Sequence, residues 1–194
     1  MPVELPVSII LNSIVACTFS VFVALFSGVS AVQASPGSGR VTLEGQVVDS
    51  ACALDASNAY QLIEFGPLPM GQLIRQGQAL PKLFTLRLIK CSLARPDSFR
   101  PGSYLPDWQH VRVTFDGLAD AGGRWFAVGG TAKGLALRIA DAQGQESQPG
   151  VAMALIPLTG ADQELHYSLQ LVGNGRPMAV GFHRTAVCFR LEYF

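Results

Sequence analysis

The chain contains short segments in which apolar and polar residues alternate, and turn residues separate each segment from the next. The clearest are KLFTLRLIKC (82–91), WQHVRVTFDG (108–117), GLALRIADAQG (134–144) and QELHYSLQLVGNG (163–175). A period of two is typical of strands with one buried face, and the dipeptides at 116–117 and 174–175 are tight-turn signals. The one plausible helical turn is LDASNA, which follows Cys52.

The spacing of these segments predicts an all-β fold, an immunoglobulin-like sandwich. YQLIEFGPLP (60–69) predicts a further short strand that is broken by one glycine and two prolines. ARPDSFRPGSYLPD (94–107) holds three prolines and predicts a loop. No break in composition divides the chain after its apolar start, so we expect that part to form one domain.

The start of the chain has a different composition. From Leu5 to Gly39 there is no charged residue, and SIILNSIVACTFSVFVALFSGVSAVQA is almost wholly apolar or small. This pattern predicts a secretory signal peptide over residues 1–34, with small residues at Ala31 and Ala34 as cleavage positions. A transmembrane anchor is the alternative, because the run exceeds the ~18 apolar residues that suffice for one.

Export determines what the cysteines should do. Cys17 lies within the signal segment, so Cys52, Cys91 and Cys188 would reach an oxidising compartment. Two of the three should pair there, and the odd count leaves one over. Three reduced and buried thiols are the alternative.

The sequence contains no motif of a known catalytic or cofactor site. His110, His166 and His183 fall in three different predicted strands, and no cluster of histidine and cysteine has zinc spacing. GGRWFAVGG (122–130) lacks the strand and helix of a nucleotide site and predicts a hairpin or bulge. Net charge is zero and 14% of residues are charged, so there is no basic field for nucleic acid. We therefore expect no enzyme, no metal, no cofactor and no nucleic-acid partner.

The last segment, AVCFRLEYF (186–194), also alternates. One face of the predicted strand would carry the residues Val187, Phe189, Leu191 and Tyr193. The sequence stops within this pattern, so we expect the strand to have an unpaired edge that needs a partner from outside.

Six motifs follow one another in order: GRVTLEGQVVDSAC, FTLRLIKC, VRVTFDG, GLALRIAD, IPLTG and FRLEY. Together they make residues 39–194 resemble a subunit of a chaperone–usher pilus. Within that family the last third is most similar to the subunit that terminates and anchors the P-pilus rod. The resemblance implies a structural minor subunit of a fimbrium, exported through the periplasm to the bacterial cell surface. An ordinary rod or linker pilin is one alternative, and a carbohydrate-binding fimbrial adhesin is another.

The resemblance also implies an immunoglobulin-like sandwich that lacks its last strand. A donor strand from a chaperone or a neighbouring subunit completes such a fold, and pilin donor-strand complementation is an established example of strand addition. The implied partners are a periplasmic pilus chaperone, an outer-membrane usher and neighbouring pilins. The groove for the donor would be bordered by the terminal strand, through Val187, Phe189, Leu191 and Tyr193.

By the same resemblance, residues 35–49 form an N-terminal extension ahead of a pilin domain at 50–194. The chain's own donor strand would consist of the alternating positions Gly39, Val41, Leu43 and Gly45. An ordinary first strand or a disordered tail is the alternative. The family disulfide maps to Cys52 and Cys91, which leaves Cys188 as the free thiol.

Overall fold

The computed structural model describes residues 40–45 and 47–194. The predicted signal peptide and Gly39 lie outside the described residues. The chain divides into two units, Met1–Gln46 and Val47–Phe194. All the regular secondary structure of the described residues belongs to the second unit. Within the described ranges, no helix is long and apolar enough to cross a membrane.

Two short helices and a series of strands make up the second unit. The helices are α1 (Ala56–Ala59) and α2 (Met70–Gln76). The longer strands are β2 (Lys82–Ile89), β5 (His110–Asp116), β8 (Leu135–Asp141), β11 (Gln163–Gly173) and β13 (Cys188–Tyr193). The two-residue strands are β1 (Ala53–Leu54), β3 (Arg95–Pro96), β4 (Tyr104–Leu105), β6 (Phe126–Ala127), β7 (Gly129–Gly130), β9 (Glu146–Ser147), β10 (Ile156–Pro157) and β12 (His183–Arg184).

The longer strands form two antiparallel sheets. The first has the order β1-β2-β11-β8-β6, with β9 also paired to β8, and the second has the order β10-β5-β13. In the first sheet, Tyr167 of β11 lies opposite Phe84 on one side and Asp141 on the other. The predicted all-β sandwich is confirmed.

Aromatic rings join the two sheets. Phe84 and Tyr167 come from the first sheet, and Phe115 and Phe189 come from the second. The ring of Phe115 has its centroid 5.0 Å from that of Tyr167, 6.0 Å from that of Phe84 and 6.4 Å from that of Phe189. The pairs with Tyr167 and Phe84 are edge-to-face, and such pairs add to the free energy gained from burial. Phe115, which is 2% exposed, is therefore the centre of the core.

Cys52 and Cys91 form a disulfide, with their Cα atoms 4.1 Å apart. The pairing of β1 with the end of β2 brings the two residues together, because Ala53 lies opposite Ile89. Cys188 is exposed, and it has no disulfide partner among the described cysteines. The structure thus contains the bond that the resemblance implies.

The segment around α1 covers the outer edge of β2. The side-chain oxygen of Asn58 accepts a hydrogen bond from the Arg87 N–H at 2.7 Å, and Asp55 N–H donates to the Arg87 carbonyl at 2.9 Å. The side-chain amide of Gln61 donates to the Thr85 carbonyl at 3.0 Å. Backbone groups of β2 that would otherwise be open to another strand are thereby bonded within the chain.

The strand predicted within YQLIEFGPLP is wrong, because residues 60–69 have no regular secondary structure. Gln61 reaches β2 through its side chain, so this segment forms no backbone ladder. Helix α2 was not predicted, although Pro69 precedes it and Gly77, with φ of 70°, caps it by donating its N–H to the Leu73 carbonyl. The helix has only seven residues and one buried side chain, which is too little for a periodicity signal.

One other local prediction also needs correction, because the loop at 94–107 contains the small ribbon of β3 and β4. The glycine-rich segment 122–130 takes part in a hairpin, as predicted: the Asp120 N–H donates to the Trp125 carbonyl at 2.8 Å, and the Ala127 N–H donates to the Leu118 carbonyl at 2.7 Å. Strand β6 of this hairpin also pairs with β8, whereas β7 pairs with β12. Between β6 and β7 the chain passes from the first sheet to the pair formed by β7 and β12.

Gly134, just before β8, has a φ of 76°. A Cβ atom at Gly134 would lie 2.8 Å from the carbonyl oxygens of Arg176 and Pro177, so only glycine fits.

The aromatic centre gives the first prediction. Replacing Phe115 with alanine should lower the free energy of unfolding by about 3–5 kcal/mol, because it removes three ring contacts and leaves a cavity. Phe99→Ala is the matched control, since Phe99 is 93% exposed. Urea unfolding of both variants measures the difference, and similar midpoints for both would contradict the assigned core.

The disulfide gives the second prediction. Cys91→Ser should lower the free energy of unfolding by about 2–5 kcal/mol and sharply reduce the yield of exported protein. Cys188→Ser should leave both quantities unchanged, because Cys188 is exposed and unpaired among the described cysteines. Peptide mapping of unreduced protein checks the pairing itself, and a bridge that contains Cys188 would contradict it.

Candidate strand-accepting site

Strand β13 lies at the edge of the second sheet. It pairs with β5 along its whole length, from Cys188 opposite Asp116 to Tyr193 opposite Val111. No backbone partner lies on its other side among residues 40–45 and 47–194. One long edge of the sandwich is therefore open.

The hydrogen-bond pattern identifies which backbone groups are unpaired. His110 and Phe194 bond each other twice, with N–H to carbonyl distances of 2.9 and 3.1 Å. Residue pairs in an antiparallel ladder alternate between bonded and non-bonded types. The N–H and C=O groups of alternate residues therefore point away from β5, and these residues are Phe189, Leu191 and Tyr193. Three donors and three acceptors face the open side.

The side chains of the same residues face the interior. Val187, Phe189, Leu191 and Tyr193 all pack against the core, but each is only half-buried. In contrast, Val111 and Val113 on the neighbouring strand β5 are fully buried. The core is thus incompletely covered next to the open edge. An added strand with alternating apolar side chains would cover it, because its inward residues recur at a period of two.

Tyr193 ties one end of this edge to the disulfide region. Its hydroxyl donates a hydrogen bond to the Cys52 carbonyl at 3.3 Å, and its ring lies 6.2 Å from that of Trp108 in an edge-to-face arrangement. A tyrosine hydroxyl is protonated at neutral pH and can donate, and burial raises the pKa of Tyr193 further. This end of the edge is held rigidly by the domain.

The predicted donor positions lie at the other end of the chain. Gly39 falls outside the described residues, and residues 40–45 have no regular secondary structure. The side chains of Val41 and Leu43 are 98% and 96% exposed, and a Cβ atom at Gly45 would have open space around it. Two large apolar side chains are thus fully available to another surface.

A groove of about 600 Å³ on the outer face of the first sheet contains a polar cluster. There Arg138 bonds Glu146 at 3.4 Å and Gln78 at 2.9 Å, and it also contacts Gln170. Burial by itself raises the pKa of Glu146, but hydrogen bonds from Arg124 and Trp125 leave it below its ordinary value. The sequence did not predict this network, whose only signal is a single arginine within β8 and polar residues at alternate positions of β11.

The network bonds its own members and presents no nucleophile beside a base. Among the described residues, no group of three histidine, cysteine, aspartate or glutamate side chains could hold a metal ion. His166 contacts the Thr85 hydroxyl through Nδ1 at 3.2 Å, on the exposed face of the sheet. The open edge of β13 is thus our candidate functional site, because its outward N–H and C=O groups have no partner among the described residues.

No family model matches the chain. The chain is 36% identical to the PRS fimbrial minor pilin protein of Escherichia coli over 155 residues. This alignment covers 80% of this chain and 77% of the relative. The chain is 35% identical, with the same coverage, to the PAP fimbrial minor pilin protein of the same species.

Two solved structures have a similar fold. One is the structure of a chaperone–usher pilus that was used to explain rod uncoiling. The match has a TM-score of 0.64 and 24% sequence identity, and it covers 82% of this chain and 98% of that chain. The other is the P pilus rod subunit PapA, with a TM-score of 0.62 and 21% identity over 75% of this chain and 100% of that one. The fold is therefore the incomplete immunoglobulin-like sandwich of pilus subunits. The chain belongs to the fimbrial pilins of chaperone–usher pili, and its resemblance to them in sequence is confirmed.

Hydrogen exchange at β13 provides the third prediction. The amides of Phe189, Leu191 and Tyr193 should exchange at least about 100-fold faster than those of Arg190 and Glu192, because they need no local opening. Residue-resolved exchange measured by NMR checks this alternation. A synthetic strand that binds the edge should remove it by protecting the fast amides. Equal protection of all five amides without any added strand would contradict an open edge.

Proposed function

We propose that the chain is a structural, non-enzymatic subunit of a chaperone–usher fimbria, and that a strand added beside β13 completes its fold. The observation that carries this proposal is the open edge of β13 above a row of half-buried apolar side chains. Strand addition would supply main-chain hydrogen bonds from the edge and specificity from alternate side-chain pockets. An edge left unpaired would instead invite aggregation.

The first occupant of the edge would be a strand of the periplasmic pilus chaperone. In an ordinary rod or linker pilin, the extension of a neighbouring subunit would then replace that strand. The fimbrial relatives support this order of partners through family membership. The chain would be exported through the periplasm after loss of residues 1–34, and the outer-membrane usher would pass it to the surface fimbrium.

The chain's own donor strand would lie in residues 35–49, at Gly39, Val41, Leu43 and Gly45. The exposure of Val41 and Leu43 supports this role, because two apolar side chains spaced by two residues fit successive pockets of a partner. Glycines on either side would let the backbones approach closely.

We further propose that this subunit terminates the rod and anchors it. Sequence identity supports this role. The chain is 36% and 35% identical to two minor pilins, and it is 29% identical to the PRS major pilin. Termination requires only one change. An incoming donor strand must displace the chaperone strand stepwise, so a higher barrier at the first step of this exchange is enough to stop growth of the rod. The subunit would then insert its own strand into the last rod pilin and accept none in exchange.

The test mixes the complex of this chain and its chaperone with a synthetic donor peptide from a rod pilin of the same system. Persistence of the chaperone complex is the result expected of a terminator. Exchange as fast as that of a rod pilin would identify an ordinary rod or linker subunit. Binding of the purified chain to glycans in an array would instead favour an adhesin.

Substitution within the apolar row provides the fourth prediction. Leu191→Asp should weaken chaperone binding at least about tenfold, because it removes an apolar side chain that the added strand would cover and places a charge there. Arg190→Asp is the matched control, since the neighbouring side chain is exposed on the opposite face. Co-purification from the periplasm measures both variants. Equal loss in both, or in neither, would show that the chaperone binds elsewhere.

A further inference from the structure

Arg95 connects Asp49 with a buried tryptophan. The guanidinium group of Arg95 donates two hydrogen bonds to one carboxylate oxygen of Asp49, from Nε at 2.9 Å and from Nη2 at 2.7 Å. The same guanidinium lies over the ring of Trp108, 4.0 Å from its centroid. Trp108 is 7% exposed and donates its backbone N–H to the Leu93 carbonyl at 2.9 Å. Trp108 therefore fixes the guanidinium of Arg95 on one side, and the guanidinium in turn binds the carboxylate of Asp49.

Among hydrogen bonds between described residues, this contact is the first one along the chain. Of the described residues before Ala51, only Asp49 makes a hydrogen bond to another described residue. The first backbone bond that follows joins Ser92 N–H to the Ala51 carbonyl. Val47, two residues before Asp49, is fully exposed. Without Arg95, the first hydrogen bond between described residues would be the one at Ala51.

An ordinary surface ion pair would have little effect, because exposed pairs contribute little and are screened by salt. The side chains of Arg95 and Asp49 are 32% and 61% exposed, so exposure alone would place them in that class. The stacking on Trp108 distinguishes this pair. It fixes the plane of the guanidinium before Asp49 arrives, which reduces the side-chain entropy lost when the bonds form.

We propose that Arg95 is a positioning residue that anchors the base of the N-terminal extension and so stiffens the junction between this subunit and the pilin that receives its donor strand. The inference rests on the proposed role of residues 35–49 as a donor. Asp49 lies outside the donor positions 39–45, so Arg95 would act on the junction and leave strand recognition unaffected. Trp108 also contacts Tyr193 of β13, so the base of the extension and the accepting edge are supported by the same ring.

The first arm of the test measures local order in the full chain. A spin label is attached at Val47→Cys in a Cys188→Ser background. Arg95→Gln should shorten the rotational correlation time of this label about two- to threefold. Arg95→Lys keeps the charge but loses the planar fork and should give an intermediate value. Arg100→Gln is the matched control, because Arg100 pairs locally with Asp97 at 3.7 Å in the same ribbon. An unchanged label in Arg95→Gln, or an equal change in Arg100→Gln, would overturn the anchor.

The second arm measures strand donation by the same variants to an acceptor pilin held by its chaperone. Arg95→Gln should slow donation by the full chain about three- to tenfold. Donation by a synthetic peptide of residues 35–49 provides the reference rate without a tether. Equal rates for the wild-type chain and Arg95→Gln would overturn a role at the junction. If the wild-type chain donates to no acceptor, the proposed donor function fails, while the spin label still decides whether Arg95 anchors Asp49.

Discussion

Backbone hydrogen bonding at β13 is the constraint on which the rest of the molecule depends. Phe189, Leu191 and Tyr193 direct their side chains into the core and their N–H and C=O groups toward the open side. The same three residues therefore carry an incomplete core and an incomplete sheet. One added strand would satisfy both deficits together, because its backbone pairs with the edge while its alternate side chains cover the core. Neither deficit can be met by the neighbouring strand β5, which is already bonded along β13.

Two edges of the sandwich, at β2 and at β13, differ in how their backbone groups are satisfied. At β2, Asn58, Gln61 and the backbone of Asp55 bond the groups that another strand would need. At β13 no described residue does so. A sandwich that exposed both edges could pair in several registers and with its own copies. With the β2 edge covered and the β13 edge open, these two edges differ in what they offer a partner strand.

Alternation in the sequence was enough to predict the long strands and the buried face of each, as in β2 and β11, because one covered face imposes a period of two. It failed at 60–69, where a side chain of Gln61 replaces a backbone ladder, and at α2, which is too short to show a helical period. The contact between Asp49 and Arg95 spans 46 positions and depends on where Trp108 comes to lie. No local pattern encodes such a meeting of distant segments, and the same is true of the network around Arg138.

The lengthwise pairing along β13 has a mechanical consequence. A strand bound along this edge would be joined by bonds that run across its axis at several successive residues. Tension applied along that axis shears all of these bonds at once, so the load is shared among them and rupture requires their simultaneous loss. A force at right angles to the strand would instead break these hydrogen bonds one after another. A fibre whose joints are loaded end to end thus draws its tensile strength from the direction of the strand as much as from the number of its contacts.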